Sequence, residues 1–388
     1  MDMLIGRGNE LSYECINCAG CYHLLFSQNC SQCIDSSLLF NCRGCKNCFG
    51  CTNLIQKEFH LWNKPCSPDE YKDAMAKLSS TTSLENVKSE FAKVRQSSIH
   101  RATNNINSEH CTGNYITDSK NCTGCFEVTG AEDCKLTMCA RFCRDSYDIF
   151  GFAYDSELLY EDVAVGQGIV TAFCFTSESC PNSYYCLYCR NIQNCFACVG
   201  VRNKQYCILN KQYSKEEYEE RMPKIIDHMR KTGEWGEFFS EKMSPFGYNE
   251  TVAQDYMPLS EQEVNDRGWH WNTYVPPPAH AKRKIPGSKL PDSIDSVPDD
   301  ILNWAIECEA TRREFKIVKQ ELDFYRSNHL PVPHFHPDER HKRRMALQNP
   351  AQLWDRPCAK CKKTMSTSCA PERPETVYCE ECYLKEVY

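Results

Sequence analysis

Nine cysteines between residues 15 and 51 stand at 15, 18, 21, 30, 33, 42, 45, 48 and 51, all in one phase of three. Inside that phase runs a 12-residue register, with Cys18, Cys30 and Cys42 in one series and Cys21, Cys33 and Cys45 in another. Asn17, Asn29 and Asn41 precede the first series, and Phe26 and Leu38 keep the same step. The phase returns at Cys174, Cys180, Cys186, Cys189, Cys195, Cys198 and Cys207, while Cys111, Cys122, Cys125, Cys134, Cys139 and Cys143 between them are irregular. A period of three would suit one face of a helix, but the Asn, Ser and Gly of NCSQC and NCRGCKNC are poor helix formers. Nor does it suit a plain strand, whose faces alternate with period two. A fixed step fits a β-solenoid, in which each repeat forms part of a coil. Coils stacked about 4.8 Å apart would set equivalent cysteines in ladders. Two Cys-x2-Cys pairs on neighbouring coils would then offer four thiolates to one ion. The same spacing permits disulfides, and thiols also serve as small apolar filling for a narrow core.

One unit of this pattern occurs twice. Asn47–Met75 aligns without gaps on Asn194–Met222, matching Cys48 with Cys195, Cys51 with Cys198, Asn63 with Asn210 and Tyr71 with Tyr218. Cys207 falls opposite His60, an exchange between the two side chains that zinc accepts most readily. Each copy closes on a capping box, Ser67-Pro-Asp-Glu70 or Ser214-Lys-Glu-Glu217, which starts a helix. Cys48, Cys51, His60, Cys186, Cys189, Cys195, Cys198 and Cys207 are the metal-ligand candidates of the repeated blocks.

The 388 residues suffice for two or three domains. A net charge of −7 disfavours general polyanion binding by the chain as a whole. The N-terminal residues lack the charged start and apolar core of a secretory signal, and no apolar run has the length of a membrane span. A cytoplasmic protein is expected, in which cysteines serve as metal ligands or buried thiols rather than disulfides.

The expected organisation is mainly β with inserted helices: a cysteine-rich solenoid-like body followed by small zinc-ribbon modules. A first cysteine-rich block spans 1–66, a helical insertion 67–100, a second block 101–213 and a capped helix 214–231, which Pro223 should kink or split. Residues 232–298 read as an aromatic and Pro-rich arm that becomes a linker around KRKIPGSKLPDS. A short helix is expected from Asp299 or Asp300 within DDILNWAIE, opening a segment over 299–347, and a zinc ribbon occupies 348–388.

That ribbon carries the firmest chemistry. Cys358-Ala-Lys-Cys361 and Cys379-Glu-Glu-Cys382 are two Cys-x2-Cys knuckles at the spacing of a four-thiolate zinc site. Four sulfurs complete the tetrahedron, so the ion is structural and its binding energy is folding energy. Cys369 is surplus to it. The preceding stretch, Cys308-Glu-Ala-Thr311 through Phe315, Leu322 and Tyr325 to His336-Pro-Asp-Glu339-Arg340, resembles a short family of bacterial zinc-binding modules. The resemblance implies ligand positions at Cys308 and His336, with Thr311 and Glu339 where the family has cysteines; threonine hardly ligates zinc, so 299–347 reads as a degenerate zinc-module-like segment whose shape is kept by packing of Phe315, Leu322 and Tyr325. From about residue 40 onward the chain also resembles uncharacterised cysteine-rich zinc-ribbon proteins of candidate-phylum bacteria, through NCFACVGVRNKQYCILNKQYSKEEYEE, SPFGYNETVAQDY, HPDERHKRRMALQNP and RPETVYCEECYLKEVY. That likeness implies a zinc-ribbon ending and no particular activity.

These observations lead to a noncatalytic zinc-binding scaffold that holds a protein or nucleic-acid partner. Arg340, Lys342, Arg343, Arg344, Lys360 and Lys362 are the candidate phosphate contacts, against the plainer reading of a solvated basic face. The alternative is a redox or metal-handling protein that uses an iron–sulfur cluster or thiol exchange, although ferredoxin spacing and a strand–CxxC–helix unit are both missing. No phosphate loop, dinucleotide fingerprint, HExxH or nucleophile elbow supports an enzyme. His110 beside Cys111, and His334 and His336 near Glu339, are the remaining acid–base pairs and carry no motif.

Overall fold

A computed structural model describes residues 2–275, 277 and 281–387. The chain is mainly strands, with eight α-helices among the described residues. In the first block, strands pair parallel with the strand one step onward: Tyr22 with Ile34, Ile34 with Lys46, and Lys46 with Glu58. Isolated bridges such as Gln28 with Phe40 and Ser31 with Arg43 carry the same register between the strands.

The period of three has a backbone cause. From Leu11 to Trp62 every third residue has a left-handed φ, between 44° and 66°. This conformation costs an ordinary L-residue about 1–2 kcal/mol, and asparagine and glycine tolerate it best. Asn17, Asn29, Asn41, Asn47 and Asn53 occupy such positions, as do Gly20, Gly44 and Gly50. From Leu11 to Gly50 the residue after each left-handed one is buried. Cys15, Cys18, Cys21, Leu24, Cys30, Cys33, Leu39, Cys42, Cys45, Cys48 and Cys51 form one buried cluster. The Asn-Cys pairs are therefore a turn residue followed by a core residue.

The second block repeats this arrangement with two register faults. Ile106 pairs with Thr117 and Glu109 with Lys120, a step one residue short. Here Gly113 is required: at φ 140° an added Cβ would lie 1.7 Å from the Cys125 carbonyl oxygen. Farther on, Arg141 pairs with Tyr154 and Phe150 with Val163, one residue long. These two faults shift the phase of the middle cysteines, and Cys139 departs further because it takes a left-handed position itself, with φ 59°. One outward column is apolar throughout: Phe126, Met138, Phe150, Val163, Phe175, Leu187 and Val199 are paired in succession.

The duplicated unit is the end of each block. Glu58–Leu61 folds back antiparallel on Lys64–Pro65, and Cys207–Ile208 on Lys211–Gln212. Asn63 accepts the Thr52 amide at 2.8 Å, and Asn210 accepts that of Val199 at 2.7 Å. Both expected capping boxes form, at Ser67/Glu70 and Ser214/Glu217. The helix Lys215–Thr232 runs through Pro223 and is not split there.

After this helix the arm packs on its own second block. Trp235 meets Phe173, Tyr184 and Tyr185 at ring-centre distances of 6.0–6.1 Å. The stretch expected to be a linker is folded: Arg283–Pro286 pairs with Trp304–Glu307, and Ile285, Leu290, Ile294 and Val297 are buried. Pro276 and Pro278 lie outside the described residues. The helix expected from Asp299 is a 3₁₀ turn over Asp299–Asn303, followed by a strand rather than more helix. The strand prevails because Ala305 and Ile306 are wholly buried between two pairing partners.

Candidate metal centre

Two local structures converge at the C-terminus. Trp354–Pro357 and Thr364–Thr367 form an antiparallel pair, and Cys358 and Cys361 stand in the turn between them. The Cys358 amide donates to the Lys363 carbonyl at 2.9 Å, and Lys362 adopts φ 64° to close the knuckle. Cys379 and Cys382 come from the start of the helix Glu380–Val387. The four sulfurs lie within 4.8 Å of one another, the only such group of ligating side chains among the described residues. Burial pushes the Cys358 thiol up, but the amides of Cys379, Cys361 and Lys360 outweigh it and pull the thiol down to about 6. Burial and the three neighbouring thiols push Cys382 up to about 12. A thiol pulled down beside two that are raised, Cys379 and Cys382, is a donor set that a cation can complete. Number, chemistry and spacing of the donors fit a tetrahedral ion. Cys369 lies outside the group, and its sulfur accepts from Arg356 at 3.2 Å.

The ribbon is built into the junction between the two blocks. Its strand Thr376–Tyr378 pairs parallel with Ile99–Arg101, and the Asn114 amide reaches Ser368 at 2.8 Å. On the other side Tyr383 donates to Asn53 at 3.0 Å and accepts from Asn41.

The block cysteines are placed differently. Cys48 and His60 are partners across one step, and Cys51 donates to the His60 carbonyl at 3.4 Å. The His60 ring turns to the Glu58 carbonyl at 2.9 Å. Cys186, Cys189, Cys195, Cys198 and Cys207 each donate to the carbonyl two residues back, at 3.4–3.7 Å. Many thiols also face the carbonyl nine residues ahead, as Cys189 faces Cys198 at 3.4 Å. Inward serines act likewise: Ser27 donates to Leu25 at 2.8 Å and accepts the Leu39 amide at 2.9 Å. Apolar residues such as Leu24 and Leu39 also point inward, but a small side chain that both donates and accepts has an advantage there, because it can take the amide of the inward residue one step on. These hydrogen bonds give the inward cysteines a role without an ion, and among the described residues no three of them gather as the C-terminal four do. The inward position also admits Asp162, wholly buried, whose carboxylate accepts the Cys174 amide at 2.6 Å and the Thr171 hydroxyl at 2.7 Å.

Cys308 and His336 are brought together, with the His336 amide directed at the Cys308 sulfur, but among the described residues they belong to no set of three ligating side chains. The basic cluster does not form one exposed face. Arg340 and Arg344 are buried. Arg340 pairs with Asp2 and Glu321, and Arg344 with Glu14 at 2.8 Å. Their spacing of four puts both on the inward side of the helix Pro337–Met345, against acids that sequence distance concealed. Arg343 lies over the Phe335 ring and pairs with Glu339, and Lys360 pairs with Glu386. Arg343 and Lys360 are exposed despite these pairings, as are Lys342 and Lys362.

Compared with protein-family models and with curated proteins, the chain matches none.

Proposed function

We propose that this chain is a noncatalytic zinc-binding scaffold. Cys358, Cys361, Cys379 and Cys382 hold one structural zinc ion, and the cysteine-rich blocks are β-solenoids of four short sides per coil. The mutual approach of the four sulfurs carries this reading. Support for the solenoid is the repeated parallel register together with a left-handed residue at every third position. The partner is a protein, held on the apolar column from Phe126 to Val199; Val199, at its end, is 54% exposed. Nucleic acid is not preferred, because two of the six basic candidates serve internal ion pairs. Elemental analysis of the native full chain tests the reading. One zinc per chain is expected, lost when Cys361 and Cys382 are both changed to Ser. Iron in place of zinc, or three or more ions per chain, would overturn it.

A further inference from the structure

We infer that residues 304–345 are a second copy of the ribbon core, folded without an ion, whose four-ligand site two substitutions would restore. The inference rests on the ribbon holding zinc and extends to a segment where the chain presents no complete ligand set. The correspondence is atomic. Glu307 pairs with Glu314 as Pro357 pairs with Thr364, and each pair flanks a knuckle. In the first knuckle the Cys308 amide donates to Arg313 at 2.9 Å, and Arg312 donates to Cys308 at 3.0 Å. In the second, Cys358 donates to Lys363 at 2.9 Å and Lys362 to Cys358 at 3.0 Å. Arg312 and Lys362 share a left-handed backbone, φ 61° and 64°. The next residue ties each knuckle to the segment before its helix, irregular in the first case and a strand in the second, Glu309 to His334 at 3.3 Å and Ala359 to Val377 at 2.9 Å. Each helix then opens alike, Arg340 donating to His336 at 3.0 Å and Tyr383 to Cys379 at 2.9 Å.

The sulfurs also share one environment. Cys308 faces the amides of His336, Thr311 and Ala310, as Cys358 faces those of Cys379, Cys361 and Lys360. Cys308, Thr311, His336 and Glu339 thus stand where the ribbon has Cys358, Cys361, Cys379 and Cys382. Thr311 cannot supply a strong ligand, and Glu339 is engaged by Arg343 at 3.0 Å. What an ion does for the ribbon, an apolar core does here: Ile306, Phe315, Leu322 and Tyr325 are buried together, in a loop longer than the ribbon's and containing the helix Lys319–Ser327. Arg340 adds a hydrogen bond to Tyr325 at 3.2 Å and its ion pair with Glu321.

The test uses the full chain with Thr311→Cys and Glu339→Cys together, titrated with zinc and then with cobalt(II). The expected count rises by one ion per chain over the wild type, with a matching increase in the thiolate-to-cobalt absorption. Cys308→Ser in the otherwise native chain should leave the metal content unchanged. A folded double variant with no added ion would overturn the inference, and so would loss of an ion from the native chain on Cys308→Ser. Should the double variant not fold, Glu339→Cys alone leaves three ligands, and failure of that variant to take up cobalt counts against it. A wild-type count of zero would reject the ribbon's ion, yet the gain at the second site would still be read, from zero to one.

Discussion

The Tyr383 hydroxyl, carried on the ribbon's helix, donates to Oδ1 of Asn53 in the first block at 3.0 Å. Asn41, one step earlier, donates to that same hydroxyl, and Asn41 also donates to Asn53 at 2.9 Å. The ribbon thus reads a column of turn asparagines that the backbone already requires for its left-handed φ values. Tyr383→Phe should lower stability by about 1 kcal/mol, because two half-buried amide side chains each lose one hydrogen bond while keeping the one between them. Denaturant unfolding measures this, and the zinc content should not change.

Chelation should loosen a strand far from the thiols in sequence. Ile99–Arg101 pairs with Thr376–Tyr378, the strand leading into Cys379. Hydrogen exchange at residues 99–101 is expected to rise at least about tenfold on removal of the ion, as binding energy is withdrawn from the ribbon fold. Exchange within Cys15–Cys51 should stay as it was. Equal acceleration in both regions would contradict a local role.

Burial raises the Asp162 carboxyl from its ordinary 3.8 to about 7. The folded chain therefore holds a proton that the unfolded chain releases, and stability falls as pH rises from about 4 through 7. The ceiling on this effect is on the order of 4 kcal/mol, at 1.36 kcal/mol per pH unit. Asp162→Asn should flatten that part of the stability–pH curve. An unchanged slope in the variant would assign it to other groups.

Arg344→Ala removes the partner of Glu14 at a buried site and should cost about 3–5 kcal/mol. Exposed Lys342 on the same helix should tolerate alanine within about 0.5 kcal/mol. Chemical denaturation of the two variants side by side checks the contrast.

Ser27→Ala should destabilise by about 2 kcal/mol, because it strips a buried amide and a buried carbonyl of their common partner. Ser27→Cys keeps donor and acceptor and should cost less, about 1 kcal/mol. If alanine and cysteine prove equivalent in thermal unfolding, inward hydrogen bonding is not what selects these residues.

Much of this was legible because backbone and sequence share one period. The Asn-Cys pairs mark a left-handed residue and its inward neighbour, and Ser67 with Glu70 marks a helix start. The faults at Gly113 and Tyr154 were not legible, since one short and one long step shift the phase without altering composition. The basic cluster misled for another reason. Arg340 and Arg344 find their carboxylates on Asp2 and Glu14, more than 300 residues away in the chain. KRKIPGSKLPDS has the composition of a linker, yet its strand is supported by Trp304–Glu307, which composition alone does not register.

The hairpins that finish each block also change the direction of the last strand in each ladder. A parallel ladder left open would be a template on which another chain's strand could lie down and extend the stack. Here the closing strand runs the opposite way, and in the first block it ends on Pro65, which has no N–H to offer a newcomer. At that end each parallel ladder meets a strand of its own chain running the other way, so a newcomer would not find the parallel template continued.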